Sequence, residues 1–286
     1  MTLIVGVKTV TILQLISDSK ISHSDETLEE EMPGRLKLVA LSPHICIGYA
    51  GRVAPALDRL RSIPNERRGS FESVIEDVKT VADCDFVVAD SATLRQVAIV
   101  NGAVQEGDLV HFGDGDAWAA LQAERLKIPA VVMAEPGPND PDISLISNVL
   151  GAFERILADP RHPTVGGFKI RISSRADGFR YMTQAGFSYN NIAGPLNEAT
   201  AERHASAAAG GYAYSVLVPS KPGEAVVAIH ISPGDLGFVH APLRTDTPIQ
   251  VTGVDENKFV EIVKMQLEVD LVGLRRTGAT TLRTPS

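Results

Sequence analysis

The sequence predicts an α+β protein in which two β-sheets lie between two layers of helices, a four-layer αββα sandwich, followed by a β-rich extension. The first observation is the order of periodic segments up to residue 186: four β-type runs, two helical segments, four β-type runs, two helical segments and a final pair of strands. The second is that residues 187–286 carry short alternating runs around a Pro- and Gly-containing turn, before one last helix. We therefore divide the chain into a domain at 1–186 and an extension at 187–286.

The composition is that of a soluble globular protein, with 286 residues, 44% of them hydrophobic and 22% charged. A net charge of −8 argues against nucleic acid as a partner, because phosphate binding needs clustered Lys and Arg. We expect no membrane partner either, since no apolar run reaches the ~18 residues of a membrane span. No basic segment with an apolar core opens the chain, so we expect no signal peptide.

The two cysteines, Cys46 and Cys84, lie far apart in the sequence and without the spacing of a metal site. We expect them to be buried free thiols, as is usual in a reducing compartment. Cysteine usage and the absence of a signal peptide together predict a cytoplasmic protein.

The first predicted strands are at 3–10, 12–21, 36–41 and 45–49, and an acidic loop is expected at 23–33. Helical spacing then predicts a first helix that Pro64 ends, and the residues with that spacing are Val53, Ala56, Leu57, Leu60 and Ile63. A second helix is expected at 70–81, with Ser70 as its N-cap.

The next predicted strands are at 85–90, 95–100 and 109–112, and the last of them ends in Gly113-Asp114-Gly115 before an Ala-rich helix that runs to about residue 126. A bare Gly-x-Gly is weak evidence for a phosphate loop, so crowding between chain and helix remains the alternative. After a Pro-rich loop at 127–140, a long amphipathic helix is predicted at 141–158, with Asp140 as N-cap and Pro141 at its first position. A hairpin at 165–172 and 177–182 completes the domain.

In the extension, helix-compatible residues at 198–209 precede a predicted hairpin at 212–218 and 225–231. Short strands are expected at 238–241 and 249–252. Asp255 caps a predicted final helix that ends at Gly273, and residues 275–286 are expected to form a disordered tail.

Four residues near the start of the chain form the candidate site: Thr2, Asp18, Lys37 and Gly51. Removal of the initiator Met would give Thr2 a hydroxyl and a free α-amine on adjacent carbons, a combination that acts as a nucleophile with its own base. Each of the other three also has a structural reading. Asp18 suits a strand end, Lys37 an exposed strand edge and Gly51 the entry to a helix.

In this order the four residues, with the Gly48-Tyr49-Ala50-Gly51 turn, resemble the N-terminal nucleophile (Ntn) hydrolases. Within these, the chain is similar to the proteasome β subunits and their simpler bacterial homologues over residues 2–186. The resemblance implies that Thr2 is the nucleophile and that its amine is the base. It makes Lys37 the cation that favours the alkoxide, Asp18 the carboxylate that holds Lys37, and the Gly51 N–H the oxyanion donor. It implies no metal and no organic cofactor.

The chain departs from the family at three positions. Asp114 stands where the proteasome-like proteins have a serine near the nucleophile, and His162 and Val165 stand where they have an Asp and a Ser. Asp159 lies near these positions in the sequence, and Thr164 would supply a hydroxyl after a one-residue shift. We include Asp114 in the candidate site as a second carboxylate near Lys37, where it would raise the pKa of the Thr2 amine.

The resemblance implies a threonine-type hydrolase that cleaves peptide bonds within a self-compartmentalising homo-oligomer, and small rings of six or seven subunits are common in the family. Its partners would be a peptide or protein substrate and copies of itself, and an ATPase partner stays open. Two alternatives remain: a non-catalytic structural subunit of such a ring, and an Ntn amidase that acts on a small amide.

Overall fold

The computed structural model describes residues 2–21, 33–127, 141–188 and 212–273. Over these residues the fold is mixed α+β, with five α-helices and three antiparallel sheets. The elements up to residue 181 are β1 (Leu3–Lys8), β2 (Leu13–Ser17), β3 (Leu38–Ala40), β4 (Ile45–Gly51), α1 (Val53–Ser62), α2 (Phe71–Val78), β5 (Cys84–Asp90), β6 (Arg95–Val100), β7 (Ala103–Glu106), β8 (Leu109–Gly113), α3 (Gly115–Lys127), α4 (Pro141–Leu157), β9 (Ile170–Arg175) and β10 (Gly178–Tyr181).

The later elements form the third sheet and its helix. They are β11 (Gln184–Ser188), β12 (Tyr212–Pro219), β13 (Val227–Ile231), a 3-10 turn (Ser232–Gly234), β14 (Leu236–His240), β15 (Ile249–Thr252), α5 (Glu256–Leu267) and β16 (Leu271–Val272). Sheet I has the order β10-β9-β2-β1-β8, sheet II the order β3-β4-β5-β6-β7, and sheet III the order β11-β12-β13-β14-β15 with β16 on β12.

Four buried hydrophobic clusters hold these elements together. One contains side chains from all three sheets, among them Ile4, Val87 and Ile229. The second lies between the other side of sheet II and helices α1 and α2, and the third between the other side of sheet I and helices α3 and α4. The fourth joins sheet III to α5. Burial of these apolar surfaces is the main force that fixes the arrangement of the sheets and helices.

Local sequence explains the ends of the helices. The Ser70 hydroxyl accepts a hydrogen bond from the Ser73 N–H, so Ser70 is the predicted N-cap of α2. Asp255 caps α5 in the same way through the Lys258 N–H. The prediction that α5 continues to Gly273 is wrong. The helix ends at Leu267, because Glu268 adopts a left-handed backbone with φ of 56°.

Sheet III contains a strand that the sequence did not predict. Residues 271–272, which follow α5, pair antiparallel with Val218 and Pro219 of β12. The predicted domain boundary at 186/187 falls within β11, whose register with β12 runs from residue 184 to residue 188. Sheet III also contributes to the cluster shared by all three sheets, so the residues of 212–273 pack on the earlier part of the chain.

Several predicted segments lie outside the described residues: the acidic loop apart from its last residue, the Pro-rich loop beyond Lys127 with Asp140, the helix at 198–209 and the tail at 275–286. Among the helices that the structure does describe, none combines the length and the apolar character needed to cross a membrane.

Candidate active site

The candidate site lies where three strands of sheet I end side by side. Thr2 directly precedes β1, Asp18 directly follows β2 and Asp114 directly follows β8. Strand β1 pairs antiparallel with both neighbours, with Ile4 opposite Ser17 and Leu3 opposite Gly113. Antiparallel pairing therefore places the start of β1 beside the ends of β2 and β8.

Asp18 accepts hydrogen bonds from four donors. Its Oδ1 atom accepts from the Thr2 hydroxyl, from the Leu3 N–H at 3.2 Å and from the Lys37 ammonium group at 3.0 Å. Its Oδ2 atom accepts from the Gly166 N–H at 3.3 Å. Because the carboxylate is fully buried, these donors and the charge of Lys37 offset the cost of removing it from water.

The ammonium group of Lys37 donates to three oxygen atoms. These are Oγ1 of Thr2 at 2.5 Å, Oδ1 of Asp18 at 3.0 Å and the carbonyl oxygen of Lys20. An ammonium group has three N–H donors and no acceptor, so these contacts use all of its hydrogen-bonding capacity. This geometry suits a protonated lysine, whose positive charge would lie beside the Thr2 hydroxyl.

The electrostatic balance at Lys37 has opposing parts. Burial lowers the pKa of Lys37, because the charged form is removed from water, and the positive charge of Lys20 lowers it further. The negative charge of Asp18 and its hydrogen bond raise the pKa, and the net direction is downward. The lysine charge at this site thus depends on Asp18.

The backbone of Thr2 is held by the end of β8. The Asp114 N–H donates to the Thr2 carbonyl oxygen at 2.7 Å. Gly113, just before it, has φ of +105°, and a Cβ atom at this position would lie 1.8 Å from the same carbonyl oxygen. Only glycine fits this close approach in a left-handed backbone, which explains the first glycine of the Gly113-Asp114-Gly115 segment.

The side chain of Asp114 has a different role from the one expected. The sequence predicted a second carboxylate near Lys37 and the Thr2 amine. Instead, Oδ1 accepts from the Ala117 N–H at 2.9 Å, as an N-cap of α3, and Oδ2 accepts from the Thr164 hydroxyl. Burial raises the pKa of Asp114, but these hydrogen bonds and the nearby His162 lower it more, so the net pKa is below its ordinary value.

The segment before Gly166 contains the other positions at which the chain departs from the family. Val165 is buried between sheet I and helices α3 and α4. The backbone of His162 bonds to Asp159 and Val165 in a turn. Asp159 is engaged by Arg161, whose hydrogen bonds lower the pKa of Asp159 to about 2. The Thr164 hydroxyl, expected near the nucleophile, donates to the Asp114 carboxylate.

Gly51, the fourth predicted site residue, does not belong to the hydrogen-bonded group around Asp18. It ends β4 opposite Cys84, with φ of +97°, and a Cβ atom there would lie 2.2 Å from the carbonyl oxygen of Asp83. In the described part of the chain it makes no hydrogen bond to Thr2 or Lys37. The turn into α1 therefore requires glycine at position 51.

Three contacts of the site come from the backbone and were not predicted: the Leu3 and Gly166 N–H groups on Asp18 and the Lys20 carbonyl on Lys37. Of these three backbone groups, only the Gly166 N–H lies in a segment that the sequence marks, the double glycine at 166–167. Gly166 also accepts from the N–H groups of Ser19 and Lys20 at 3.2 and 3.0 Å, which ties this turn to the residues after Asp18.

A surface pocket opens elsewhere, between α1, β4 and residues 240–248, and Arg35, Tyr49 and His240 line it. Thr2, Asp18 and Lys37 do not line this pocket. Within the described ranges, no three His, Cys, Asp or Glu side chains are grouped so as to hold a metal ion. No protein-family model matches the chain, and no curated protein matches it either.

Proposed function

We propose that this chain is a threonine-type Ntn hydrolase that cleaves peptide bonds, with Thr2 as its nucleophile. One observation carries the proposal: the Thr2 hydroxyl contacts both the ammonium group of Lys37 and the carboxylate of Asp18 within a buried group. The cation favours the alkoxide form of Thr2, and the buried carboxylate holds the cation in place.

The base in this proposal is the α-amine of Thr2. In this proposal Lys37 stays an ammonium group with oxygen atoms facing its three N–H bonds, and it then has no lone pair with which to accept the Thr2 proton. An acylated nitrogen is not basic near neutral pH, and the proposal therefore includes removal of Met1. The amine then lies one carbon from the hydroxyl that it deprotonates, directly or through a water.

The reaction would follow in two steps. The Thr2 oxygen attacks the substrate carbonyl carbon, the amine passes the proton to the leaving nitrogen, and an ester to Thr2 remains. Water, deprotonated by the same amine, then hydrolyses this ester and restores the hydroxyl. The family resemblance, and no contact in the structure, makes the N–H of Gly51 the oxyanion donor, and a donor of this type lowers a barrier by about 3–4 kcal/mol.

The packing of the elements supports the finer fold assignment within this proposal, a four-layer αββα Ntn sandwich. The order of helices and strands up to β10 is that of the predicted domain. Helices α1 and α2 pack on one side of sheet II, and α3 and α4 pack on one side of sheet I. The remaining sides of these two sheets share a cluster.

A second candidate is a non-catalytic subunit of a proteasome-like ring. It is favoured by the roles of Asp114 and Val165, which cap a helix and fill a core where the related enzymes have serines. An amidase that acts on a small amide is the third possibility, and it uses the same Thr2 chemistry. Substrate assays therefore have to include simple amides as well as peptides.

The first test combines intact mass with turnover. We expect protein from its native host to lack the mass of Met1 and to cleave members of a fluorogenic peptide panel. Thr2→Ala should abolish cleavage, while Thr2→Ser, which keeps a hydroxyl, should retain part of it. A chain that keeps Met1 and cleaves neither peptides nor simple amides would leave the structural subunit as the better account.

Assembly is tested separately. We propose a cytoplasmic homo-oligomeric ring that encloses the site, by the same resemblance that suggested the enzyme. Light scattering at micromolar concentration should then give a multiple of the single-chain mass. A single-chain mass would contradict the ring and leave the chemistry at Thr2 open to its own test.

A further inference from the structure

We propose that Asp114 is a positioning residue, which acts through Thr164 and Gly166 to fix the Asp18 carboxylate against Thr2. The inference rests on the proposed function for its effect on catalysis. The series of hydrogen bonds that connects helix α3 to Asp18 does not depend on that function.

The chain of hydrogen bonds begins at the helix. Asp114 precedes the 13 residues of α3, and its Oδ1 atom accepts from the Ala117 N–H at 2.9 Å. Its Oδ2 atom accepts from the Thr164 hydroxyl. Because both oxygens are engaged, the carboxylate has a single orientation, and that orientation is set by the helix.

The next part is the short segment from Thr164 to Gly166. Thr164 is tied to Asp114 by its side chain, and two residues later the Gly166 N–H donates to Oδ2 of Asp18 at 3.3 Å. The Gly166 carbonyl oxygen accepts from the N–H groups of Ser19 and Lys20. The segment therefore links the N-terminus of α3 to the residues that carry Asp18.

Asp114 also contacts Thr2 directly, through its backbone. Its own N–H donates to the Thr2 carbonyl oxygen at 2.7 Å. One residue thus fixes the Thr2 backbone directly and the Asp18 carboxylate through Thr164. Together these contacts set the distance between the nucleophile and its carboxylate, which preorganises the site for the developing alkoxide.

The test uses Thr164, because its replacement leaves the cap of α3 intact. Thr164→Val keeps the shape of the side chain and removes the hydroxyl, whereas Thr164→Ser keeps the hydroxyl. With a peptide epoxyketone as probe, Thr164→Val should lower the maximal inactivation rate about ten- to hundredfold, the range expected when a hydrogen bond to a charged group is lost. The probe concentration at half-maximal rate should change less than about twofold.

Thr164→Ser should restore most of the rate, and Asp116→Asn serves as the charge control. Asp116 is exposed and lies in the first turn of α3, so its neutralisation should leave the rate unchanged. A Thr164→Val protein that reacts at the parent rate, or a Thr164→Ser protein as slow as Thr164→Val, would overturn the proposal.

Amide hydrogen exchange separates this inference from the proposed function. We expect the Gly166 N–H to exchange faster in Thr164→Val than in the parent protein, and to be protected again in Thr164→Ser. If the parent protein does not react with the probe, the proposed function fails but this exchange measurement still decides on the linkage. Equal Gly166 protection in all three proteins would exclude the linkage.

Discussion

The ammonium group of Lys37 lies 2.5 Å from the hydroxyl oxygen of Thr2, and this contact joins two sheets. Thr2 precedes the first strand of sheet I, and Lys37 precedes the edge strand β3 of sheet II. The candidate nucleophile and its cation are thus brought together by the packing of one sheet on another. Their geometry depends on the tertiary fold.

The first prediction concerns the buried ion pair. Lys37→Met leaves the Asp18 carboxylate buried and without its cation, so the free energy of unfolding should fall by about 3–5 kcal/mol. Adding Asp18→Asn to Lys37→Met removes the uncompensated charge and should recover part of that loss. Urea unfolding of the parent, single and double variants measures both effects.

The matched control is Lys8, whose pair with Asp108 lies at the surface with 28% and 78% of the two side chains exposed. Lys8→Met should change the free energy of unfolding by less than about 1 kcal/mol. Equal effects of Lys37→Met and Lys8→Met would show that burial does not strengthen the Lys37 pair.

The second prediction compares two neighbouring glycines. Gly113→Ala should lower the free energy of unfolding by more than about 1 kcal/mol, because of its positive φ and the contact with the Thr2 carbonyl. Gly115→Ala meets no atom within 4 Å and lies in α3, so it should be neutral or stabilising by up to about 1 kcal/mol. Thermal and urea unfolding measure the stability of both variants. Similar losses of unfolding free energy in Gly113→Ala and Gly115→Ala would contradict the close approach of Gly113 to the Thr2 carbonyl oxygen.

The third prediction is a pH dependence of stability. The pKa of Asp114 in the folded protein is below its ordinary 3.8, so its contribution is complete above about pH 5 and is lost as the pH falls through the folded pKa. The stability difference between the parent protein and Asp114→Asn should therefore be constant from pH 7 to about pH 5 and shrink below about pH 4. Urea unfolding at each pH tests it, and a difference that stays constant down to pH 3 would contradict the assignment.

The sequence was informative where local pattern decides structure. Apolar β-type runs predicted β1 and β2, although the strands end at Lys8 and Ser17, before the predicted ends at residues 10 and 21. The Gly113-Asp114-Gly115 segment was correctly placed between a strand and a helix.

The sequence was less informative where the direction of a side chain decides which groups it contacts. Sequence order gives Asp114 a position near Thr2, but the first turn of α3 offers unpaired N–H groups that bind its carboxylate. The same limit applies to the backbone groups on Asp18 and Lys37. Any residue type supplies an N–H or a carbonyl oxygen, so Gly166 and Lys20 had no chemical signature in the sequence.

The central claim is that Thr2 acts with both its hydroxyl and its amine, and the most direct measurement is the adduct formed with a panel of peptide epoxyketones. Ring closure by such a probe needs a hydroxyl and a free amine on adjacent carbons. Mass spectrometry of the protein without Met1 should find one adduct, at Thr2, that is absent from Thr2→Ala and forms orders of magnitude more slowly in Lys37→Ala. An adduct on another residue, or no adduct from any member of the panel, would contradict the account.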